Sequence, residues 1–170
     1  EEATQILKPY INSGTLVVKS GKFSPNETNV PGWRTDLASK RMDEILDTVG
    51  YGANGGVKLD GILSPADCLS DGIIFTLKKK GYTPSNIPVI TGQDATAEAL
   101  QNVKEGYQAM TIYKSRDDLH DAVIDMVRSI SSGKKANIND TTTYNNGVKD
   151  MDSFPCTPEL IDRSNLAKLL

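Results

Sequence analysis

Three residues of this chain combine suitable chemistry with a suitable place for binding a polar ligand: Gln93, Asp94 and Lys114. The first two directly follow the apolar run 87–91, and the lysine directly follows the alternating run 108–113. Both runs are typical of strands, and ligands of open α/β sheets bind beyond the carboxyl ends of the strands. Asp94 could accept hydrogen bonds there from neighbouring hydroxyl groups, and such charge-assisted bonds are about twice as strong as neutral ones.

Simpler local roles remain open for the charged candidates. Asp94 could cap the helix that begins near Thr96, because aspartate is favoured at that position, and local sequence alone favours this role. Most lysines face solvent, so Lys114 could do the same at its strand-to-helix junction. Asp67 precedes an apolar helical pattern and is equally suited to capping that helix and to touching a ligand.

The single tryptophan, Trp33, opens a predicted helix after a loop rich in proline, asparagine and glycine. A flat aromatic side chain at such a place could stack on the C–H face of a sugar ring, which couples apolar burial with polar edges. A core position that covers the start of the helix is the other interpretation. The local sequence does not decide between the two.

Composition excludes several classes of partner and reaction. The net charge is −3, with acidic and basic residues interspersed, which argues against a nucleic-acid partner. One histidine, His120, and two distant cysteines, Cys68 and Cys156, form no metal-binding spacing, so we expect no metal site and two separate thiols. A phosphate loop and a G-x-S-x-G elbow are missing, so we expect no cofactor and no enzyme activity.

The apolar patterns alternate between strand and helix along most of the chain. Strands are predicted at 15–19, 59–63, 87–91 and 108–113, and helices at 36–49, at 69–77, at 96–103 and at 116–130. This alternation predicts an α/β fold with an open, mostly parallel sheet and helices on both faces. After Gly133 the pattern fades into the extended segments 141–149 and 153–157, with at most a short surface helix in the last ten residues.

Four segments carry a resemblance to a known family. The segments are 89–95 (VITGQDA), 110–114 (MTIYK), 64–72 (SPADCLSDG) and the tryptophan at position 33. Together they resemble the C-terminal lobe of the sugar-binding proteins that feed bacterial ABC importers, in the xylose, galactose and multiple-sugar group. The resemblance covers nearly the whole chain and implies one lobe of a type I periplasmic binding protein.

The resemblance also implies roles for individual residues. Trp33 would stack on the sugar, Asp94 and Lys114 would contact its hydroxyl groups, and Gln93 would line the pocket wall beside them. Asp67 would be a further ligand contact. The chain departs from the family pattern at the preceding position, where relatives usually have asparagine and this chain has alanine.

A division of the chain follows from the same resemblance. Residues 1–114 would form a C-terminal-type sugar-binding lobe that lacks its first strand. Residues 115–150 would be a helix and an extended segment of the other lobe, and 151–170 the hinge return and C-terminal tail. The apolar face of the helix at 116–130 would then have no sheet of its own to cover. We expect it to pack on a missing N-terminal lobe or on a second copy of the chain.

The expected function is to bind a monosaccharide of the xylose, glucose or galactose type in the cleft between two lobes. The protein would deliver the sugar to the permease of an ABC importer, from the periplasm or as a membrane-anchored lipoprotein. Two alternatives are the effector-binding lobe of a sugar-responsive transcriptional repressor and a sugar-modifying α/β enzyme that uses Asp94 and Lys114 as an acid–base pair. Trp33 and the segment 110–114 favour the transport group.

Overall fold

The computed structural model describes residues 2–170 of the chain. It contains six α-helices, four short strands and two 3₁₀ turns in this described range. The helices are α1 (Glu2–Asn12), α2 (Pro25–Thr28), α3 (Thr35–Val49), α4 (Asp67–Lys79), α5 (Ala97–Glu105) and α6 (Arg116–Ser131). The strands are β1 (Gly61–Ile62), β2 (Val89–Ile90), β3 (Met110–Tyr113) and β4 (Glu159–Asp162), and the 3₁₀ turns are Pro31–Trp33 and Leu166–Lys168.

The predicted alternation of strands and helices is confirmed from α3 to α6. β1 and β2 pair in parallel, and the helix between them, α4, makes the crossover that a parallel pair requires. The amide of Ala109 donates to the carbonyl of Ile90 at 2.9 Å, which ties the approach to β3 to the end of β2. The fold class is therefore α/β, as the sequence predicts.

The three central helices lie side by side and begin at one end of the layer. In the α3–α4 pair, Ser39 Oγ lies 2.7 Å from Thr76 Oγ1, and these two residues are 37 positions apart in the sequence. Lys80 Nζ pairs with Asp43 at 3.0 Å, and these residues are also 37 positions apart. Because the sequence separation stays constant along the pair, the two helices run parallel. A further bond, from Asn102 Nδ2 in α5 to Asp71 Oδ1 in α4, has a length of 3.1 Å.

A close approach of backbone to backbone brings α3 and α4 together. A Cβ atom on Gly72 would overlap the carbonyl oxygen of Thr35, so this position in α4 has no room for a side chain. The core beneath the two helices consists of six buried side chains: Met42, Leu46, Ile74, Leu77, Tyr82 and Ile90. Burial of such side chains stabilises a fold by about 1.5–3 kcal/mol each.

The predicted strand at 15–19 is wrong. Residues 15–19 contain no strand, and Leu16, Val17 and Val18 are exposed. A strand needs a neighbour for its backbone hydrogen bonds, and within the described residues β1 pairs with β2 alone. The β-branched composition of this segment is therefore not sufficient to make it a strand.

The last ten residues contain the expected short helix, as the 3₁₀ turn Leu166–Lys168, but the sequence pattern does not predict the strand before it. Residues 159–162 form β4, which pairs antiparallel with all four residues of β3. Ile161 is fully buried beside Leu100, Val103 and Leu166, so the segment belongs to a second small core. A strand this short with a single buried side chain has too little periodicity to be recognised from sequence.

The predicted helix at 116–130 is confirmed as α6, but its apolar face is uncovered. Ser115 Oγ accepts a hydrogen bond from the amide of Asp118 at 3.1 Å and so caps the helix. No residue of α6 is buried, and Leu119, Val123, Val127 and Ile130 are exposed. The assignment of this helix to a second lobe stays a prediction.

The chain exposes more surface than a compact protein of the same mass. The chain has 11,378 Å² of accessible surface for a mass of 18.4 kDa. A compact monomer of that mass exposes about 8,200 Å². Within residues 2–170, no helix has the length and apolar composition needed to cross a membrane.

A pair of substitutions tests whether α6 is uncovered in solution. We expect Ile74→Ala to lower the free energy of unfolding by about 2–5 kcal/mol, because Ile74 is buried in the core. Val127→Ala should change it by less than about 0.5 kcal/mol, because that side chain is 60% exposed. Urea unfolding of the 170-residue chain measures both. A large loss in Val127→Ala would mean that α6 packs on a partner surface.

Candidate ligand-binding site

A strained turn joins β2 to α5 and carries Asp94. Asp94 has φ 106° and Ala95 has φ 50°, both in the left-handed region that residues with a side chain rarely adopt. The amide of Asp94 donates to the carbonyl of Ile112 at 2.9 Å, and the amide of Ala95 donates to Thr111 Oγ1 at 3.1 Å. Strain of this kind costs about 1–3 kcal/mol per residue and clusters at functional sites.

Asp94 and Lys114 meet at the surface beyond the ends of β2 and β3. Lys114 Nζ lies 2.7 Å from Asp94 Oδ1, and the two side chains are 53% and 48% exposed. An exposed ion pair of this kind contributes about 0–1 kcal/mol to stability, so the fold does not depend on it. The arrangement offers an acceptor and a donor to one ligand.

Asp94 does not cap α5, so that alternative is wrong. The N-cap of α5 is Thr96, whose hydroxyl accepts a hydrogen bond from the amide of Ala99 at 3.2 Å. The carboxylate of Asp94 therefore stays available at the surface, paired with Lys114. Lys114 is partly exposed, as its simpler interpretation expects, but it is held by this carboxylate.

Trp33 lies at the start of α3 with its side chain 60% exposed. It closes a 3₁₀ turn in which Gly32 and Trp33 have φ of 65° and 55°. The predicted alternative of a core tryptophan is therefore wrong. Val30, just before the turn, packs against the buried cluster of Ala38, Ala66 and Leu69 between α3 and α4. The parallel packing of α3 and α4 thus puts Trp33 at the same end of the layer as the starts of α4 and α5.

Asp67 lies beneath this surface instead of on it. Its side chain is fully buried, and Oδ2 accepts a hydrogen bond from the amide of Thr96 at 3.0 Å. Gln93 is half-buried and accepts a bond from the amide of Asp67 at 2.9 Å through its backbone carbonyl. The geometry therefore favours a role inside the protein for Asp67 over the predicted ligand contact.

Sequence reasoning missed two buried polar residues next to Asp67. Thr111 Oγ1 lies 2.9 Å from each carboxylate oxygen, and Gln108 Nε2 donates to Oδ1 at 3.0 Å. Both residues belong to the alternating run 108–113 that is predicted as a strand. The alternation assigns Gln108 to the same face as Met110 and Ile112 but assigns Thr111 to the opposite face, so the sequence holds a signal for Gln108 alone.

Both cysteines are free thiols, as expected. Burial raises the pKa of the Cys68 thiol, and the negative charges of Asp94 and Asp71 raise it further. The hydrogen bond from the amide of Asp67 to the carbonyl of Gln93 places the start of α4 close to the turn. In the described part of the chain, no group of three or more His, Cys, Asp and Glu side chains could hold a metal ion.

Asp71 lies where α4 packs against α5, and its carboxyl group has a raised pKa. Burial raises its pKa to about 6, and the carboxylates of Glu98 and Asp67 act in the same direction. The hydrogen bond from Asn102 and the charge of Lys78 oppose this shift. The charged form of Asp71 is therefore disfavoured in the folded state.

The comparison with protein families decides what kind of fold carries this site. Residues 1–135 match the model of the family described as periplasmic binding protein domain. The chain belongs to this family. The multiple sugar-binding periplasmic receptor ChvE of Rhizobium radiobacter is 39% identical over 170 residues, which cover 99% of this chain and 47% of that protein. The D-xylose-binding periplasmic protein of Escherichia coli is 30% identical over 162 residues, and the match covers 44% of that protein.

The solved structures agree with the family assignment. An ABC transporter solute-binding protein from Clostridium phytofermentans, with bound β-D-glucose, superposes with a TM-score of 0.88 at 36% identity. The superposition covers 98% of this chain and 50% of that one. The fold is that of a type I periplasmic binding protein, and the chain spans about half the length of the curated relatives it matches.

The raised pKa of Asp71 predicts a dependence of stability on pH. Folded Asp71 holds its proton up to about pH 6, whereas the unfolded chain releases it near the ordinary value of 3.8. Asp71 therefore lowers stability as the pH rises from 4 to 6. We expect Asp71→Asn to unfold at a higher temperature than the parent at pH 7, with a smaller difference at pH 4.

The matched control for this measurement is Asp121→Asn, which neutralises an exposed carboxylate on α6. It should shift the melting temperature by similar small amounts at both pH values. An Asp71→Asn effect that is the same at pH 4 and pH 7 would contradict the assignment of the raised pKa to this group.

Proposed function

We propose that this chain forms one lobe of a solute-binding protein that captures a monosaccharide of the xylose, glucose or galactose type and delivers it to an ABC importer. The observation that carries the proposal is the exposed ion pair between Asp94, on the strained turn after β2, and Lys114, directly after β3. Membership of the periplasmic binding protein family supports it, as does the glucose bound to the solved relative from Clostridium phytofermentans.

The chemistry of the pair suits adjacent hydroxyl groups of a sugar. The carboxylate of Asp94 accepts from two hydroxyls, while the ammonium group of Lys114 donates to one of them. A sugar hydroxyl both donates and accepts, so one ligand satisfies both partners. Closing the cleft removes water, and each unmade hydrogen bond then costs affinity, which selects ligands with matching hydroxyls.

Trp33 and Gln93 complete the proposed site. The exposed indole of Trp33 leaves a flat apolar face free for the C–H groups of a pyranose ring. Gln93 precedes Asp94 in the turn and would line the wall of the pocket beside it. Aromatic stacking contributes area and orientation, whereas the polar groups discriminate between sugars.

The whole protein would consist of two lobes that close about a hinge. We assign residues 1–114 to the sugar-binding lobe, 115–150 to the other lobe, and 151–170 to the hinge return and tail. The uncovered apolar face of α6 supports this division, because its four exposed apolar side chains would gain about 6–12 kcal/mol when buried. The coverage of about half of each curated relative supports it independently.

The relatives favour transport over the alternatives. Their names describe periplasmic sugar-binding receptors and an ABC solute-binding protein, and not repressors or enzymes. The protein would therefore act outside the cytoplasm, in the periplasm or as a membrane-anchored lipoprotein. Its partner would be the permease of an ABC importer, and binding would need no cofactor.

Calorimetric titration of the full-length protein with D-glucose, D-xylose and D-galactose tests the proposal. We expect binding of at least one sugar and a loss of about 10-fold to 100-fold in affinity for Asp94→Ala, because a charged acceptor is removed from a closed site. Trp33→Ala should lose less, since it removes mainly contact area.

The matched control is Asp43→Ala, which breaks an exposed ion pair with Lys80 and should leave the affinity unchanged. An absence of heat with every sugar of the panel, or an unchanged affinity in Asp94→Ala, would contradict the proposal.

A further inference from the structure

The buried carboxylate of Asp67 is held by neutral donors. Its oxygens accept hydrogen bonds from the hydroxyl of Thr111, the side-chain amide of Gln108 and the backbone amide of Thr96. Asp67 is the first residue of α4, and Thr96 is the N-cap of α5. The positive ends of two helix dipoles therefore lie at one buried negative charge, which stabilises it without a cation.

Thr111 connects this carboxylate to the strained turn. A carboxylate only accepts hydrogen bonds, so the hydroxyl of Thr111 donates to Asp67 and uses a lone pair to accept from the amide of Ala95. Asp67 also holds the amide of Thr96 directly. The two consecutive amides that follow Asp94 thus depend on the same buried group.

The backbone before Asp94 is fitted to the same carboxylate. Asp67 and its donors Thr111, Gln108 and Thr96 form a hydrogen-bond network. A Cβ atom at Gly92 would overlap Asp67 Oδ1 and Gln108 Nε2, so the segment after β2 lies directly against this network. The amide of Asp67 in turn donates to the carbonyl of Gln93 at 2.9 Å. The network therefore contacts the turn on both sides of Asp94.

We propose that Asp67 is a positioning residue for the sugar site. It acts through Thr111 and Thr96 to hold Asp94 and Ala95 in their left-handed conformation, and so aims the carboxylate of Asp94 at the ligand. It does not touch the sugar itself. This inference rests on the proposed function, because it assigns Asp67 a role in presenting the sugar acceptor.

Two substitutions break the network without removing a surface group. In Asp67→Asn one of the two carboxylate oxygens becomes an NH2 group, so the side chain keeps a single, neutral acceptor and can no longer accept from both the Thr96 amide and Gln108. Thr111→Val keeps the shape of the side chain and removes the hydroxyl that Ala95 donates to. Thr111→Ser keeps the hydroxyl and serves as the conservative rescue.

Amide hydrogen exchange in the sugar-free protein tests whether the hydrogen bonds of Asp67 and Thr111 hold the turn. We expect exchange of the Ala95 amide to be at least about tenfold faster in Thr111→Val, because this amide loses its acceptor. Exchange of the Thr96 amide should be faster in Asp67→Asn, because a neutral amide replaces its charged acceptor. Thr111→Ser should restore the parent rates. The control is Thr76→Val, which removes another buried hydroxyl that bonds to Ser39 between α3 and α4 and should leave both amides unchanged.

A double-mutant cycle tests the route to the ligand. We expect Asp67→Asn to weaken sugar binding by about 10-fold to 100-fold in the parent and to have no further effect in the Asp94→Ala background. If the affinity losses of the two single variants multiply in the double variant, the inference is overturned, because the two residues then act independently and Asp67 does not act through Asp94. Weaker binding with unchanged exchange at Ala95 and Thr96 would overturn it as well.

The two measurements separate this inference from the proposed function. If the parent binds no sugar while the exchange rates respond as expected, the proposed function is wrong and the network still holds the turn. If the parent binds sugar but the exchange rates do not respond, Asp67 is not a positioning residue and the proposed function stands.

Discussion

The arrangement of this chain around its candidate site depends on one buried charge. The carboxylate of Asp67 joins the start of α4 to the start of α5 through Thr96 and to β3 through Thr111. A buried carboxylate is costly unless every lone pair finds a donor, so the segments that supply the donors must stay in place. The same bonds fix the turn whose exposed residue is Asp94. Stability of the lobe and geometry of the site therefore share one set of hydrogen bonds.

The exposed groups of the candidate site, in contrast, do not stabilise the fold. The ion pair of Asp94 and Lys114 contributes little to stability, because solvent screens it, and the positive φ of Asp94 and Trp33 costs free energy. Such features persist where the surrounding structure holds them in place and where they contribute to the binding of a ligand. The uncovered face of α6 is a second feature that a stable monomer rarely has, and the second lobe that we propose would cover it.

The sequence predicts the elements with strong periodicity and the residues at their ends. The α3 and α6 helices show a clear 3.6-residue pattern, and Asp94 and Lys114 can be placed at strand ends from the apolar runs before them. The segment 15–19 shows the limit of this reasoning, because β-branched residues make a strand only beside another strand. The buried roles of Thr111 and Gln108 depend on where Asp67 lies in three dimensions, which no local pattern contains. For the same reason the sequence suggests a ligand contact for Asp67, whereas the structure places it below the surface.

The most direct test of this account is a crystal structure of the full-length protein with a bound monosaccharide. We expect sugar hydroxyls at about 2.5–3.0 Å from the carboxylate of Asp94 and within hydrogen-bond distance of Lys114, with the ring against Trp33. We also expect Asp67 to keep its bonds to Thr111 and Thr96. A sugar bound away from Asp94, or an Asp67 side chain turned towards the sugar, would contradict this account.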